Sequence, residues 1–400
     1  MNSPDPLFSK RNLLLLAACQ AVGQATNTMM FTATALSVVT FMSTRDLATL
    51  PVTMQHLGVM LSVFPAALLM QRHGRKLGFQ LGSLVGMIGS TICGIGLYTA
   101  NFPLMCLAGL ILGFAVANTQ MYRFAAVELA PFEMRAKAIS WVTAGGVAAG
   151  IIGPSLARLT HDRFMPIYIG TFGAMVCLHL VVFMVMSFIK FPPPMRAAST
   201  ADSLPPRPLL EIAAQPKFFL SVISAMVAFG TMSFLMSASP LAIVGCGLPH
   251  TEAHWVIFLH VMGMFVPSFF TGNLIQRFGI NNVMLWGVVG LFAGIGIGLM
   301  GMSEWHFRLA LMLNGVGWNF LFVGATTLVT TTYRPSERGK TQALNDFLTF
   351  GTTATASFLA GFLQEHLGWF ALNWFSVALV AVSVVSVIGL RLQSVRPAPA

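Results

Sequence analysis

Apolar positions in this chain come in long blocks separated by short charged punctuation. Stretches free of Lys, Arg, Asp and Glu run from 12 to 44, 47 to 71, 77 to 122, 138 to 157, 164 to 189, 218 to 251, 253 to 276, 278 to 303, 309 to 333, 347 to 364 and 366 to 390. A helix needs about 20 mostly apolar residues to cross a bilayer, so each block is of spanning length or close to it. The block from 77 to 122 is too long for one span, and Asn101, Phe102 and Pro103 place a turn in its middle. The pattern therefore predicts an all-α polytopic membrane protein of twelve transmembrane helices. The first span follows Lys10 and Arg11 and is too long for the apolar core of a cleavable signal peptide, so it is expected to remain as an anchor.

Composition agrees with the pattern. Of 400 residues 56% are apolar and 8% charged, against roughly 25% charged in a soluble chain. Sorting the 22 basic residues by predicted side puts 17 with the two termini and 4 opposite, with Arg123 inside a span. Positive charge is retained in cytoplasmic loops during insertion, so both termini are expected in the cytoplasm of a bacterial inner membrane. The net charge of +10 then reflects topology and anionic headgroups, and no nucleic-acid partner is expected. Cys19, Cys93, Cys106, Cys177 and Cys246 show no paired or metal-ligand spacing and are expected to be small buried residues. The histidines also lack metal spacing, so neither a metal nor a cofactor is predicted. His161, His250, His254, His306 and His366 fall in predicted outward loops.

Two motifs recur at nearly one offset. Gln71, Arg72, His73, Gly74, Arg75 and Lys76 follow span 2, and Gln276, Arg277, Phe278, Gly279, Ile280 and Asn281 follow span 8, 205 residues later. Arg135, Ala136 and Lys137 after span 4 return as Arg338, Gly339 and Lys340 after span 10, 203 residues later. A duplicated six-span unit is implied: residues 1–190 and 217–400, joined by a proline-rich cytoplasmic linker at 191–216.

With this repeat the chain resembles a twelve-helix member of the major facilitator superfamily over its whole length. The resemblance implies two pseudo-twofold six-helix bundles that rock about a midplane site. In the family's loop between spans 2 and 3, Ala67 stands here in place of a glycine. Gln71 stands in place of the aspartate that helps latch the halves; Gln276 does the same in the second copy. Span 5 carries Gly145, Gly146, Ala149, Gly150, Gly153 and Pro154, similar to the Gly-Pro turn found chiefly in antiporters; helix packing alone accounts for such small residues equally well. The run from Gln120 to Ala126, with Arg135 to Ser140 and Gly145 to Pro154, is similar to a bacterial branch associated with riboflavin uptake.

Polar groups inside spans are costly and therefore informative. Arg123 lies about five residues before the cytoplasmic end of span 4. It reads as a cationic clamp for a polar or anionic solute, or as an arginine that reaches the headgroups or pairs with Glu128. Gln120 and Arg123 share one helix face, and Asn118 and Tyr122 another, by three- and four-residue spacing. Span 1 presents Gln20, Gln24, Asn27 and Phe31 on one stripe. The second half offers Asn314, Trp318 and Asn319 in span 10 and Asn345, Thr349 and Thr352 in span 11. Aromatic rings beside amides suit a flat conjugated solute.

Carriers for a coupling ion are fewer. No acid is predicted at mid-membrane; Glu128 and Asp346 approach it from cytoplasmic helix ends, Asp346 with Arg338 or Lys340 in reach. His260 and His179 are the intramembrane histidines, each able to relay a proton or simply to hydrogen-bond a neighbour. The loop residues Gln71, Arg72, Arg75, Gln276 and Arg277 are the gating candidates. The chain offers no nucleotide loop and no nucleophile beside a base, so it reads as a monomeric secondary transporter of a small organic solute, such as a vitamin, with protons as candidate coupling ion. Multidrug efflux and a non-transporting receptor remain as alternatives.

Overall fold

A computed structural model describes residues 10–42, 46–130, 135–191, 206–334 and 337–395. Within its helices the side chains of Gln71, Arg123, Arg135, Lys137 and Arg338 lie outside the described set. Most of the expected linker lies outside it as well.

Every regular element among the described residues is a helix. In chain order they are α1 (Lys10–Val39), α2 (Leu50–His73), α3 (Arg75–Tyr98), α4 (Phe102–Gln120), α5 (Tyr122–Glu128), α6 (Arg135–Thr160), α7 (Ile169–Phe188), α8 (Leu209–Ala213), α9 (Pro216–Gly245), α10 (His250–Phe265), α11 (Ser268–Phe278), α12 (Ile280–Met300), α13 (Glu304–Val329) and α14 (Arg338–Val395). Span 4 is α4 with α5, and span 8 is α10 with α11. Gly368, at φ 75°, breaks α14 into spans 11 and 12. Twelve spans result, as the apolar blocks predicted.

The punctuation is physical. Asn101 caps α4 by accepting the Leu104 N–H at 3.0 Å, and Pro103 sits in the first turn, where its missing N–H costs nothing. Gly74 ends α2 at φ 89° and Gly279 ends α11 at φ 83°, a left-handed turn that glycine adopts without strain. Both donate to the carbonyl four residues back, Met70 and Ile275, at 2.9 Å. The duplicated loop thus repeats in backbone geometry as well as in sequence.

Among the described residues, nine helical stretches are long and apolar enough to cross a membrane, the one at Lys340–Leu392 sufficing for two spans. Helices α1 and α6 are not among them. Both are sheathed by other helices, and two-thirds of α1's 30 residues are buried. Glycines let α6 approach its neighbours on two faces. A Cβ at Gly145 would lie 2.6 Å from the Ala17 carbonyl of α1, while one at Gly146 would meet the Phe265 ring of α10 at 2.5 Å.

Helices of the two halves meet at the end of the bundle opposite the termini. Thr49 donates to the Ser357 carbonyl at 2.8 Å, Tyr168 Oη lies 2.7 Å from His250 Nδ1, and Asp46 pairs with His366 at 3.3 Å. Nearer the termini, Phe64 of α2, Phe269 and Phe270 of α11 and Phe347 of α14 are exposed. There Arg207 ties the chain ahead of α8 to span 11. Its guanidinium donates to both oxygens of the fully buried Glu337 at 2.9 and 2.7 Å, and Lys340 donates to its carbonyl. Arg207, with the backbone N–H of Arg334, holds the Glu337 carboxyl well below the usual carboxylate range.

The cysteines divide. Cys19 and Cys93 are buried, but Cys106 is half-buried and Cys177 and Cys246 are exposed, which corrects the expectation that all five are interior. A cysteine tolerates the lipid-facing side of a span as readily as its packed side, so composition alone does not place it.

Candidate functional site

Eight spans converge on a central cavity of about 190 Å³. From α1 come Gln20, Gln24, Asn27 and Phe31, whose three- and four-residue spacing turns one stripe of the helix inward. Helix α2 adds Gln55 and His56, and α4 adds Gln120. The second half supplies Phe229 of α9, Phe265 of α10, Trp318, Asn319 and Phe322 of α13, and Asp346, Thr349 and Phe350 of span 11.

The aromatic side chains form one connected wall. Trp318 stacks on Phe322 with centroids 5.1 Å apart and planes 19° off parallel, and Phe229 stands edge-on to both. Opposite this wall, Phe31 packs against His56 at 5.5 Å. A flat π-system entering here would find ring faces and edges at separations that favour stacking.

Polar capacity in the cavity is partly uncommitted. Gln55 Oε1, His56 Nδ1, Trp318 Nε1 and Thr349 Oγ1 are buried and have no hydrogen-bond partner among the described residues. Each such group costs about 1–3 kcal/mol relative to a satisfied one. Asn319 is different. Its amide donates to the Met264 carbonyl at 2.7 Å and to Ser268 Oγ at 2.6 Å, and its oxygen accepts from Thr271 Oγ1 at 2.6 Å. It splints α13 to the joint between α10 and α11 and keeps little for a solute.

Several residues singled out by spacing do not face the cavity. Asn118 packs on Gly82 of α3 and donates to the Phe114 carbonyl at 2.8 Å. Tyr122 is buried edge-on against Phe79 at 4.7 Å. Asn314 is fully buried within the helix packing, and Asn345 donates sideways to Asp346 Oδ1 at 3.0 Å. His260 lies 2.7 Å from the Leu311 carbonyl through Nδ1; a carbonyl only accepts, so Nδ1 carries the hydrogen and ties α10 to α13. His179 packs on Gly86 of α3.

The charged candidates also separate. Glu128 pairs with Arg75 at 2.6 Å, so the carboxylate is already engaged by the loop after span 2. Arg72, Gln276 and Arg277 are exposed near the joints that end α2 and α11, with Arg277 over the Phe278 ring at 5.2 Å. The side chains of Arg123 and Gln71 lie outside the described residues. Span 4 turns at Met121, so the three-residue step from Gln120 to Arg123 crosses a break and no longer guarantees a shared face. Asp346 lines the cavity, deeper than the cytoplasmic helix end where spacing had placed it, and Lys340 is committed to Arg207.

Gln55, His56 and the rings of Phe229, Phe265, Phe322 and Phe350 were not singled out in the sequence. Gln55 and His56 did carry a signal: they are adjacent polar residues in the middle of the apolar block 47 to 71. The phenylalanines occur singly on separate helices, and only folding gathers them.

Twelve spans, eight of them lining a central cavity with polar and aromatic walls, are the architecture of a membrane transporter. The sequence profile of the Major Facilitator Superfamily matches residues 13–249 and 220–400, and the chain belongs to that superfamily. It is 40% identical over 390 residues to the riboflavin transporter RfnT of Brucella anthropi, covering 97% of this chain and 98% of that one. It is 26% identical to the uncharacterized transporter YdeG of Bacillus subtilis, over 93% of this chain and 90% of that one. The crystal structure of a D-xylose-proton symporter superposes with a TM-score of 0.73 at 15% identity, over 95% of this chain and 96% of that chain, a likeness of fold.

Proposed function

We propose that this protein carries a flat, hydrogen-bonding heteroaromatic solute of vitamin size, with riboflavin the first candidate. The observation that carries the reading is the set of four buried, unpartnered polar atoms on Gln55, His56, Trp318 and Thr349 inside an aromatic-walled cavity. A solute with ring faces for the aromatics and donors and acceptors on its edge relieves all four at once. Similarity to the Brucella riboflavin transporter along nearly the full length of both chains supports the same choice.

Residues 1–190 rock against 217–400 in this reading, both termini are cytoplasmic, and the chain works as a monomer in a bacterial inner membrane. In this reading the contacts at the end opposite the termini close the outer side. At about 190 Å³ the cavity lies below the roughly 300 Å³ usual for ligand pockets, so the helices part to admit the solute. Protons are the proposed driving ion, with Asp346 the cavity carboxylate available to carry one.

The test is binding and uptake with purified protein in liposomes. Riboflavin should raise the unfolding temperature and enter vesicles saturably. Gln55→Leu and Trp318→Phe should each weaken binding about tenfold, the effect of losing roughly 1.4 kcal/mol. A protein that riboflavin neither stabilises nor crosses refutes the reading. Multidrug efflux is the second reading, favoured by Met121, Met232, Met236 and Met264 in the cavity wall, adaptable contacts that accept many shapes. It predicts stabilisation by many unrelated apolar cations and indifference to Gln55→Leu.

A further inference from the structure

Away from the central cavity, the two halves meet through a cluster of histidines at the end opposite the termini. His161 follows α6 and Tyr168 precedes α7; His250 and His254 open α10. Tyr168 Oη and His250 Nδ1 are 2.7 Å apart. The rings of His161 and His254 are edge-on at 5.4 Å, and His161 lies 5.9 Å from Tyr168. Tyr168 and His254 are buried, and neither nitrogen of His254 has a hydrogen-bond partner among the described residues.

The surrounding charges are unevenly placed. Arg158, on the last turn of α6, sets a positive field at His254. His161 Nδ1 lies 2.8 Å from the Arg158 carbonyl, so Nδ1 carries the hydrogen and Nε2 is free to take a second one. The exposed Asp162 carboxylate lies 3.7 Å from His161 and faces solvent. Arg163 donates to the Leu159 carbonyl and is exposed. On α10, Glu252 is held by both arms of Arg308 at 2.6 and 2.5 Å, and Arg308 also reaches Glu304 at 3.2 Å, so that carboxylate is already neutralised.

We propose that this cluster is a proton-binding site that unlocks the contact between the two halves at this end of the bundle. The first proton enters on the imidazole of His161, whose Nδ1 edge faces the exposed Asp162 carboxylate at 3.7 Å. A second, on the buried His254, places like charges on rings 5.4 Å apart, where Arg158 already adds a third. Charging His254 inside the closed contact leaves it without an acceptor, whereas separation of the halves lets water reach all three rings. Acid therefore favours the state open at this end. The Asp46–His366 pair responds with the opposite sign, since a protonated His366 is attracted to Asp46. It is substantially exposed, and solvent and salt screen it.

This inference rests on alternating access but not on the identity of the solute. The full chain in nanodiscs, with Cys106, Cys177 and Cys246 replaced by Ser, would carry spin labels at Arg163→Cys and Met302→Cys. Lowering the pH from 8 to 5.5 should raise the ratio of long to short inter-label distances at least about tenfold. The triple variant His161→Gln, His250→Gln, His254→Gln should abolish that response, and His254→Gln alone should blunt it. Tyr168→Phe, which removes the hydrogen bond and keeps the titrating rings, should start more open at pH 8 and still respond to acid. Two distances that appear in unchanged proportion at both pH values, or a triple variant that responds like the parent, overturn the proton site. A single distance under every condition, with riboflavin or without, overturns alternating access itself.

Discussion

Replacing Asn319 with Leu should loosen the cavity wall through α10 and α11. Leucine keeps the branching of asparagine at Cγ, is somewhat larger and has no polar atoms, so the perturbation removes hydrogen bonds without leaving a cavity. Three are lost: those to the Met264 carbonyl, Ser268 Oγ and Thr271 Oγ1, all between 2.6 and 2.7 Å. Interhelical hydrogen bonds in membrane proteins contribute about 0.6 kcal/mol on average, up to about 1.7. Thr271 shares its single hydrogen with the Pro267 carbonyl at 2.7 Å, so its bond to the amide counts for less than a full one. The sum is about 2 kcal/mol, or roughly a 30-fold change in the unfolding equilibrium. Titration with dodecyl sulfate in mixed micelles, followed by tryptophan fluorescence, reads this directly because Trp318 is the adjacent residue. A midpoint within about 0.5 kcal/mol of the parent would refute the splint and return Asn319 to the solute.

Three further outcomes follow from the same geometry. The folded-state pKa of Glu337 is depressed, so its contribution to stability is present above the unfolded value near 4.5 and is lost as pH falls through the lower folded value. Glu337→Gln should flatten this acid limb of the stability profile and lower stability at neutral pH, measured by thermal unfolding at a series of pH values. Gly146→Val should disrupt the α6–α10 contact, because even a Cβ meets the Phe265 ring at 2.5 Å; overpacking of this kind costs about 1–3 kcal/mol, and transport in liposomes should fall with expression intact. Asp346→Asn should remove the dependence of uptake on a pH gradient while leaving riboflavin binding measurable; unchanged gradient dependence would exclude Asp346 as the proton carrier.

The spans were legible because lipid imposes a one-dimensional constraint: each crossing needs its own apolar block, and charges can only punctuate. Caps such as Asn101 with Pro103 were legible for the same local reason. The polar stripe of α1 was legible too, since helical spacing fixes which residues share a face. Spacing does not say what that face meets. Asn118 and Tyr122 form an equally regular pair, yet their side of span 4 packs on Gly82 and Phe79 of α3. The turn at Met121 carries no proline or glycine to announce it. The aromatic wall sets the Trp318–Phe322 pair of α13 against Phe229 of α9, Phe265 of α10 and Phe350 of span 11, and the meeting of rings from four spans is a property of tertiary packing that a linear pattern does not encode.

The polarity of α1 has a consequence for how the protein is made. This helix leaves the ribosome well before α6, which covers one of its faces and begins about 125 residues later. At a synthesis rate of about 5–20 residues per second, that interval lasts roughly ten seconds. Through it, Gln20, Gln24 and Asn27 sit in or beside the membrane without the helices that later enclose them. The polar residues by which α1 lines the cavity also make it a poor independent anchor, so its place in the bilayer is secured by partners that arrive afterwards.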